Sequence, residues 1–191
     1  MRCFIALDVP ADVLAALDRI QAALRAAIPR ADVRWTAPAQ LHVTLKFLGS
    51  VPDARVPAVS GALEHIAGAG AAIALTARGL GGFPSLGSMR VLWAGVASPE
   101  SEAADLASAV DRAVVALGFQ LESRPFRPHL TLGRVRSPRG ARGLADAVKS
   151  LGSPAFGSWV ADELILYESR LRPTGALYVP ISRHALQGVR R

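Results

Sequence analysis

"QLHVTLKFLG", residues 40–49, sets a histidine and a threonine two positions apart in a run that otherwise reads as a buried strand. "RPHLTLGRV", residues 127–135, repeats the arrangement, with the two histidines 87 positions apart. In an extended chain alternate side chains share a face, about 6.5–7 Å apart. That alternation puts His42, Thr44 and Lys46 on one face of the first strand and Val43, Leu45 and Phe47 on the other. In the second copy His129 and Thr131 share a face, with Leu130 and Leu132 opposite. Each strand thus has a core side and a side offering imidazole plus hydroxyl. A lone histidine on a half-buried strand is usually a hydrogen-bonded structural residue. The same His-x-Thr-Leu tetrapeptide in two comparable strands points to chemistry.

Outward from these strands, the pattern alternates between strand and helix. "RCFIAL" (2–7) is a short apolar strand, broken by Asp8 and Pro10. Leu14, Leu17, Ile20, Leu24 and Ile28 form the apolar stripe of a helix that stops before Pro29. Residues 53–68 give a second helix through Val56, Val59, Leu63 and Ile66. "AAIALTARGLGGF" and "MRVLWAGV" read as strands around the loop "PSLGS". A third helix starts at Ser98-Pro99, carries Leu106, Val110, Val114 and Leu117, and closes at Gly118. A short helix around 141–151 precedes "WVADELILYES" and "ALYVPIS", read as two final strands. The loop candidate is 136–143, "RSPRGARG". Element order therefore runs through two passes of strand, helix and strand, each holding one His-x-Thr-Leu strand. The expectation is an α+β fold with two lobes, a sheet in each.

Composition narrows the class. The 191 residues, 51% hydrophobic and 19% charged, suit one domain with a sizeable core. No apolar run is long enough to span a bilayer, and "MRCFIALDVP" does not read as a signal peptide, so a cytoplasmic protein is expected. The single cysteine, Cys3, cannot form an intramolecular disulfide and reads as a small core hydrophobe. The net charge of +7 comes almost entirely from arginine, Lys46 and Lys149 being the only lysines. Arginine's planar fork suits phosphate, though a compositional habit alone also accounts for it. No Rossmann glycine fingerprint or phosphate loop is present.

Two histidines form a competent acid–base pair near neutral pH, because one ring can be neutral while the other is protonated. A threonine hydroxyl beside each ring can hold a non-bridging phosphate oxygen. This division of labour suits in-line cleavage of a phosphodiester and needs no metal. The sequence shows no acidic cluster or His-x-His spacing of metal ligands. His65 and His184 lack such context and read as ordinary surface or edge residues.

At these residues the chain resembles the 2H phosphoesterase superfamily, defined by two His-x-Thr/Ser-x motifs. Within it the resemblance is to the bacterial and archaeal RNA 2′,3′-cyclic phosphodiesterases, first described as 2′-5′ RNA ligases. It extends through "RCFIAL", "LHVTLKFLGSV", "GGFPS…RVLWAGV", "FRPHLTLGRV" and "LILYESRLRPTGALYVPIS", which cover most of the chain. The resemblance implies a bilobal fold over residues 1–191, two pseudo-twofold-related lobes each with an antiparallel sheet and flanking helices around a central cleft. It implies hydrolysis of a terminal 2′,3′-cyclic phosphate to a 2′-phosphate, with ligation as the reverse reaction. His42 would be the proton donor to the departing 3′-oxygen and His129 the proton acceptor from water. Thr44 and Thr131 would hold the phosphoryl oxygens. Arg134 and Lys46 are further candidates for substrate binding, since a cation near phosphate stabilises developing charge. Arg127 and the arginines of 134–142 could guide an RNA backbone, and Phe83 or Trp35 could stack on a base, core packing being the alternative for both aromatics. The expected partners are RNA 3′ ends or small 2′,3′-cyclic nucleotides, with no metal, no cofactor and no membrane, acting as a monomer. The competing class is an RNA-end binding module without turnover.

Overall fold

The computed structural model describes residues 1–137, 143–173 and 175–187, so most of the loop expected over 136–143 lies outside the described residues. Nine strands follow in chain order: β1 (Arg2–Leu7), β2 (Val33–Trp35), β3 (Val43–Ser50), β4 (Ile73–Phe83), β5 (Val91–Ala97), β6 (His129–Val135), β7 (Ala155–Ala161), β8 (Glu163–Arg172) and β9 (Gly175–Ala185). Between them lie helices α1 (Ala11–Ala27), α2 (Val56–Ala69), α3 (Glu102–Ala116) and α4 (Leu144–Ser150). The strands form one antiparallel sheet in the order β7-β4-β5-β6-β3-β1-β8-β9, with β2 added to β6. The two motif strands, β3 and β6, meet at the centre through a single register pair, Val43 with Leu130. This pinch divides the sheet into two halves, β3-β1-β8-β9 and β6-β5-β4-β7, each with its motif strand at the junction. The expected α+β arrangement of two halves is present, its two sheets continuous through that one pair.

Helices cover one face only. α2 and α3 pack on the first half, against β8, β9 and β3, while α1 packs on the second, against β7, and α4 packs beside α1. The covered face carries the main core, including Ile5, Leu7, Val43, Leu92, Leu130 and Leu132, and Cys3 is buried in it as expected. α1 shows how a sequence stripe is adjusted by its partner: its fully buried line is Val13, Leu17, Gln21 and Leu24. Gln21 is tolerated there because its Nε2 donates to the carbonyls of Thr36 (2.9 Å) and Leu132 (2.7 Å). The chain passes repeatedly between the halves. The run "WVADELILYES" is not one strand, because it breaks at Asp162. Ala161 pairs with Ile73 in one half and Glu163 with Ala185 in the other. The break is only the acidic pair Asp162-Glu163 inside an otherwise apolar run, with no proline or glycine to mark a turn, which is why the sequence reads as one strand.

Both motif strands carry a β-bulge at the leucine of His-x-Thr-Leu. In β3, Ala6 pairs with Thr44 and Ile5 with Lys46, which leaves Leu45 as the extra residue. In β6, Trp93 of β5 pairs with Thr131 and Leu92 with Gly133, which leaves Leu132 extra. A bulge shifts the alternation by one, so every residue beyond it changes face. Among the described residues no helix is long and apolar enough to cross a membrane.

Candidate active site

The face without helices forms the floor of the site. Val43 and Leu130 are fully buried toward the core, so their neighbours His42, Thr44, His129 and Thr131 project from the opposite face. Continuing the antiparallel register one step each way from Val43–Leu130 sets His42 across from Thr131 and Thr44 across from His129. Four side chains, two imidazoles and two hydroxyls, thus surround one backbone pair. The structure brings together the two histidines and two threonines of the His-x-Thr-Leu motifs.

The two rings are held in the same way. His42 Nδ1 bonds the carbonyl of Gln40 at 2.8 Å, and His129 Nδ1 bonds the carbonyl of Arg127 at 2.7 Å. A carbonyl only accepts, so each Nδ1 carries the proton and each Nε2 is left with its lone pair. An aromatic ring supports each imidazole: Phe4 stacks on His42 with centroids 4.6 Å apart, and Phe83 meets His129 edge-on at 5.0 Å. Burial is the largest influence on both rings. It pushes His42 down to about 4, against the opposing pull of its Gln40 bond and the negative charge of Asp8. His129 is also lowered by burial, opposed by its bond to Arg127 and reinforced by the positive charge of Arg134. A charge on His129 further disfavours one on His42, so the two rings share a field.

Lys46 is not on the site face. The bulge at Leu45 turns it under the sheet, where it is 7% exposed. Its ammonium binds the carboxylate of Asp111 on α3 and the carbonyl of Gln120, the latter at 2.7 Å. The expected grouping of His42, Thr44 and Lys46 therefore fails at its third member. Phe47 comes up in its place, 66% exposed and beside Phe4 at 6.0 Å. The matching bulge at Leu132 does the opposite service in β6. Simple alternation would send Arg134 to the core face with Leu130 and Leu132. The bulge instead pairs Arg134 with Val91, which shares a face of β5 with Trp93 and hence with Thr131. Arg134 is exposed there and its charge reaches His129.

The candidate stacking residues separate. Trp35 lies on the helix side, with the Arg25 guanidinium of α1 over its ring at 5.2 Å. Phe83 lies on the site face against His129 and Trp93. Sequence reasoning misses Asp8, which one further register step beyond Leu7–Val43 sets beside His42. Its carboxylate is held by the Tyr167 hydroxyl and by Arg183 at 3.3 Å. Phe4 reads in the sequence only as a strand residue. Neither has a local signal, since both depend on how β1 pairs with β3. His184 is occupied structurally, bonding Ser182 at 2.9 Å.

The model of the LigT-like phosphoesterase family matches residues 7–93 and again residues 96–178, one motif strand in each match. The chain belongs to this family of 2H phosphoesterases. Among curated relatives of this phosphoesterase, the RNA 2′,3′-cyclic phosphodiesterase of Methanothermobacter thermautotrophicus is 34% identical over 178 residues, 93% of this chain and 95% of the relative. That of Archaeoglobus fulgidus is 33% identical over 178 residues, covering 93% and 96%. A crystal structure from Thermus thermophilus superposes with a TM-score of 0.82 at 30% identity, covering 98% and 99% of the two chains. E. coli LigT complexed with 3′-AMP gives 0.75 at 30% identity, covering 97% of each. Each of the two matches contains one motif strand together with its bulge.

Proposed function

We propose that this phosphoesterase hydrolyses the 2′,3′-cyclic phosphate at an RNA 3′ end, or on a small cyclic nucleotide, to a 2′-phosphate, using His42 and His129 without a metal. The observation that carries the reading is the matched pair of imidazoles, each with Nδ1 committed to a backbone carbonyl and Nε2 open on the same face. In this reading Thr44 and Thr131 donate to the non-bridging oxygens, and Arg134 offsets the charge that develops on phosphorus. His129 Nε2 takes a proton from water as its oxygen attacks phosphorus. The P–O3′ bond breaks in line, and His42 Nε2–H gives its proton to the departing 3′-oxygen. With an RNA 5′-hydroxyl attacking in place of water, the same displacement would form a 2′-5′ linkage, the ligation that reverses 2′-5′ cleavage. The names of the curated relatives and the 3′-AMP complex of E. coli LigT support the substrate class. The reading further takes the enzyme as a cytoplasmic monomer, a compartment to which its lone, buried thiol is suited.

One observation favours the swapped assignment of roles. His42, pushed down to about 4 by burial, is unprotonated at neutral pH in the free enzyme. It serves as donor only if it takes up a proton with the anionic substrate, whereas it is ready as a base. Turnover of 2′,3′-cyclic AMP in EDTA, followed by phosphorus NMR, tests the function, and absence of a 2′-phosphate product refutes it. A substrate with a leaving group that needs no proton tests the roles. The alanine variant of the donor recovers on it and that of the acceptor does not.

A further inference from the structure

We propose that Arg34, with Arg134 lying between it and the reacting phosphate and shared by both, forms a subsite for a second phosphate of the substrate, the phosphodiester on the 5′ side of the terminal nucleoside. This rests on the reading of the paired histidines as a cyclic phosphodiesterase site. Arg34 of β2 and Arg134 of β6 are direct cross-strand partners. Like charges opposed in this way repel and weaken the pairing of the strands. Both side chains are exposed, and among the described residues neither is in an ion pair that would neutralise it. The repulsion is relieved when an anion sits between the two guanidinium forks, which match phosphate oxygens bidentately.

Placement gives the ligand. Residues directly opposite in a ladder share a face, so Arg34 joins Arg134 on the face of Thr131 and the histidines. From Thr131 to Arg134 the register advances two residues along β5, from Trp93 to Val91, a step of about 6.5–7 Å. Arg34 lies one strand across from Arg134, about 4.8 Å away, on the edge of β6 that also meets β3. A phosphate held by the threonines and a second one on the arginine pair are thus separated as neighbouring phosphates of an extended strand are. The far side is bounded by the β8–β9 hairpin. The Arg34 Nη2 lies 3.5 Å from where a Cβ on Gly175 would sit, and Gln40 Nε2 donates to the Ala176 carbonyl. The corresponding position in the first half is Phe47, which is apolar. The charge asymmetry therefore sets the arginine pair at the junction, between β6 and the β8–β9 hairpin.

The experiment compares adenosine 2′,3′-cyclic phosphate with the dinucleotide ApA ending in a 2′,3′-cyclic phosphate, for wild type, Arg34→Ala and Arg34→Lys. Arg34→Ala is expected to lower kcat/KM for the dinucleotide at least 10-fold more than for the mononucleotide, chiefly through KM, with Arg34→Lys between. The slope of log KM against log salt for the dinucleotide should shrink by about 0.7, the loss of one contact with a single-stranded phosphate. Equal losses on the two substrates, with the salt slope unchanged, overturn the proposal. If neither substrate is turned over, the functional reading fails by itself. The subsite is then decided by fluorescence anisotropy with a labelled dinucleotide: weaker binding by Arg34→Ala supports it and equal binding overturns it.

Discussion

Lys46 offers a sharp separation between a residue that touches substrate and one that holds the fold. The bulge at Leu45 turns its ammonium inward to Asp111, in a pair whose side chains are 6% and 15% exposed. Removing one member of a buried ion pair leaves the other uncompensated, at a cost of about 3–5 kcal/mol. Asp111→Asn strands the ammonium against a neutral amide and the Gln120 carbonyl, and should reach that range. Lys46→Met keeps the length of the stem and leaves a carboxylate that also accepts from the Glu122 amide at 3.3 Å. It should cost less, about 1–3 kcal/mol. For a chain of this length each kcal/mol moves Tm by roughly 2–4 °C, so Asp111→Asn should melt about 6–20 °C below wild type. The double variant Lys46→Met with Asp111→Leu should recover most of that loss, because neither charge is left buried. Calorimetry gives the Tm values. Initial rates on 2′,3′-cyclic AMP, taken well below the lowest Tm, should stay within about threefold of wild type for Lys46→Met. A rate loss of a hundredfold or more at unchanged Tm would put Lys46 at the phosphate and refute the reading of the bulge.

Other measurements reach the histidines and the floor. Replacing either His42 or His129 by alanine should cost about 10²–10⁴-fold in kcat/KM. The wild-type profile should be a bell centred below the usual histidine value, since burial lowers both rings in the free enzyme; a bell centred above pH 7 contradicts this. Because His42 is lowered to about 4, the unfolded chain binds the extra proton between pH 6.5 and 4, so stability falls as pH drops through that window. The loss is about 2 kcal/mol by pH 4.5, and His42→Gln should flatten it in a pH series of melting curves. At Gly81 an added Cβ would lie 2.2 Å from the Trp93 ring. Gly81→Ala should therefore cost about 1–3 kcal/mol, change the near-ultraviolet dichroism of the tryptophans, and lower activity through the Phe83–His129 contact. A variant that matches wild type in all three shows that Trp93 moves freely.

Much of the fold could be read from pattern alone, and the failures have a common origin. The strands at 2–7 and 129–135 and the helix closed at Gly118 are local, set by apolar period and by proline or glycine stops. His42, Thr44, His129 and Thr131 were legible because alternation holds as far as the threonine in each motif. It fails one residue later, where the bulge inserts Leu45 or Leu132, and both leucines look like ordinary core residues in the sequence. The fate of Lys46 and the aim of Arg134 were hidden there. The break at Asp162 was hidden because the chain leaves one half and enters the other within a single residue, with no proline or glycine to mark a turn. Asp8, Phe4 and Arg34 belong to pairings between strands far apart in sequence, which no local period encodes.

The shared bulge also bears on how a nearly symmetric site acquires a direction. Up to the bulge the two halves present the same groups: an imidazole fixed through Nδ1, a hydroxyl, and an aromatic support. A reaction with a distinct entering and leaving oxygen needs the two sides to differ. The difference begins at the first site-facing residue past the bulge, Phe47 on one side and Arg134 on the other. On the proposed mechanism, what distinguishes donor from acceptor is thus written outside the His-x-Thr-Leu motifs, and exchanging those two residues is the direct way to ask whether a duplicated half-site can be made to run its chemistry from the other end.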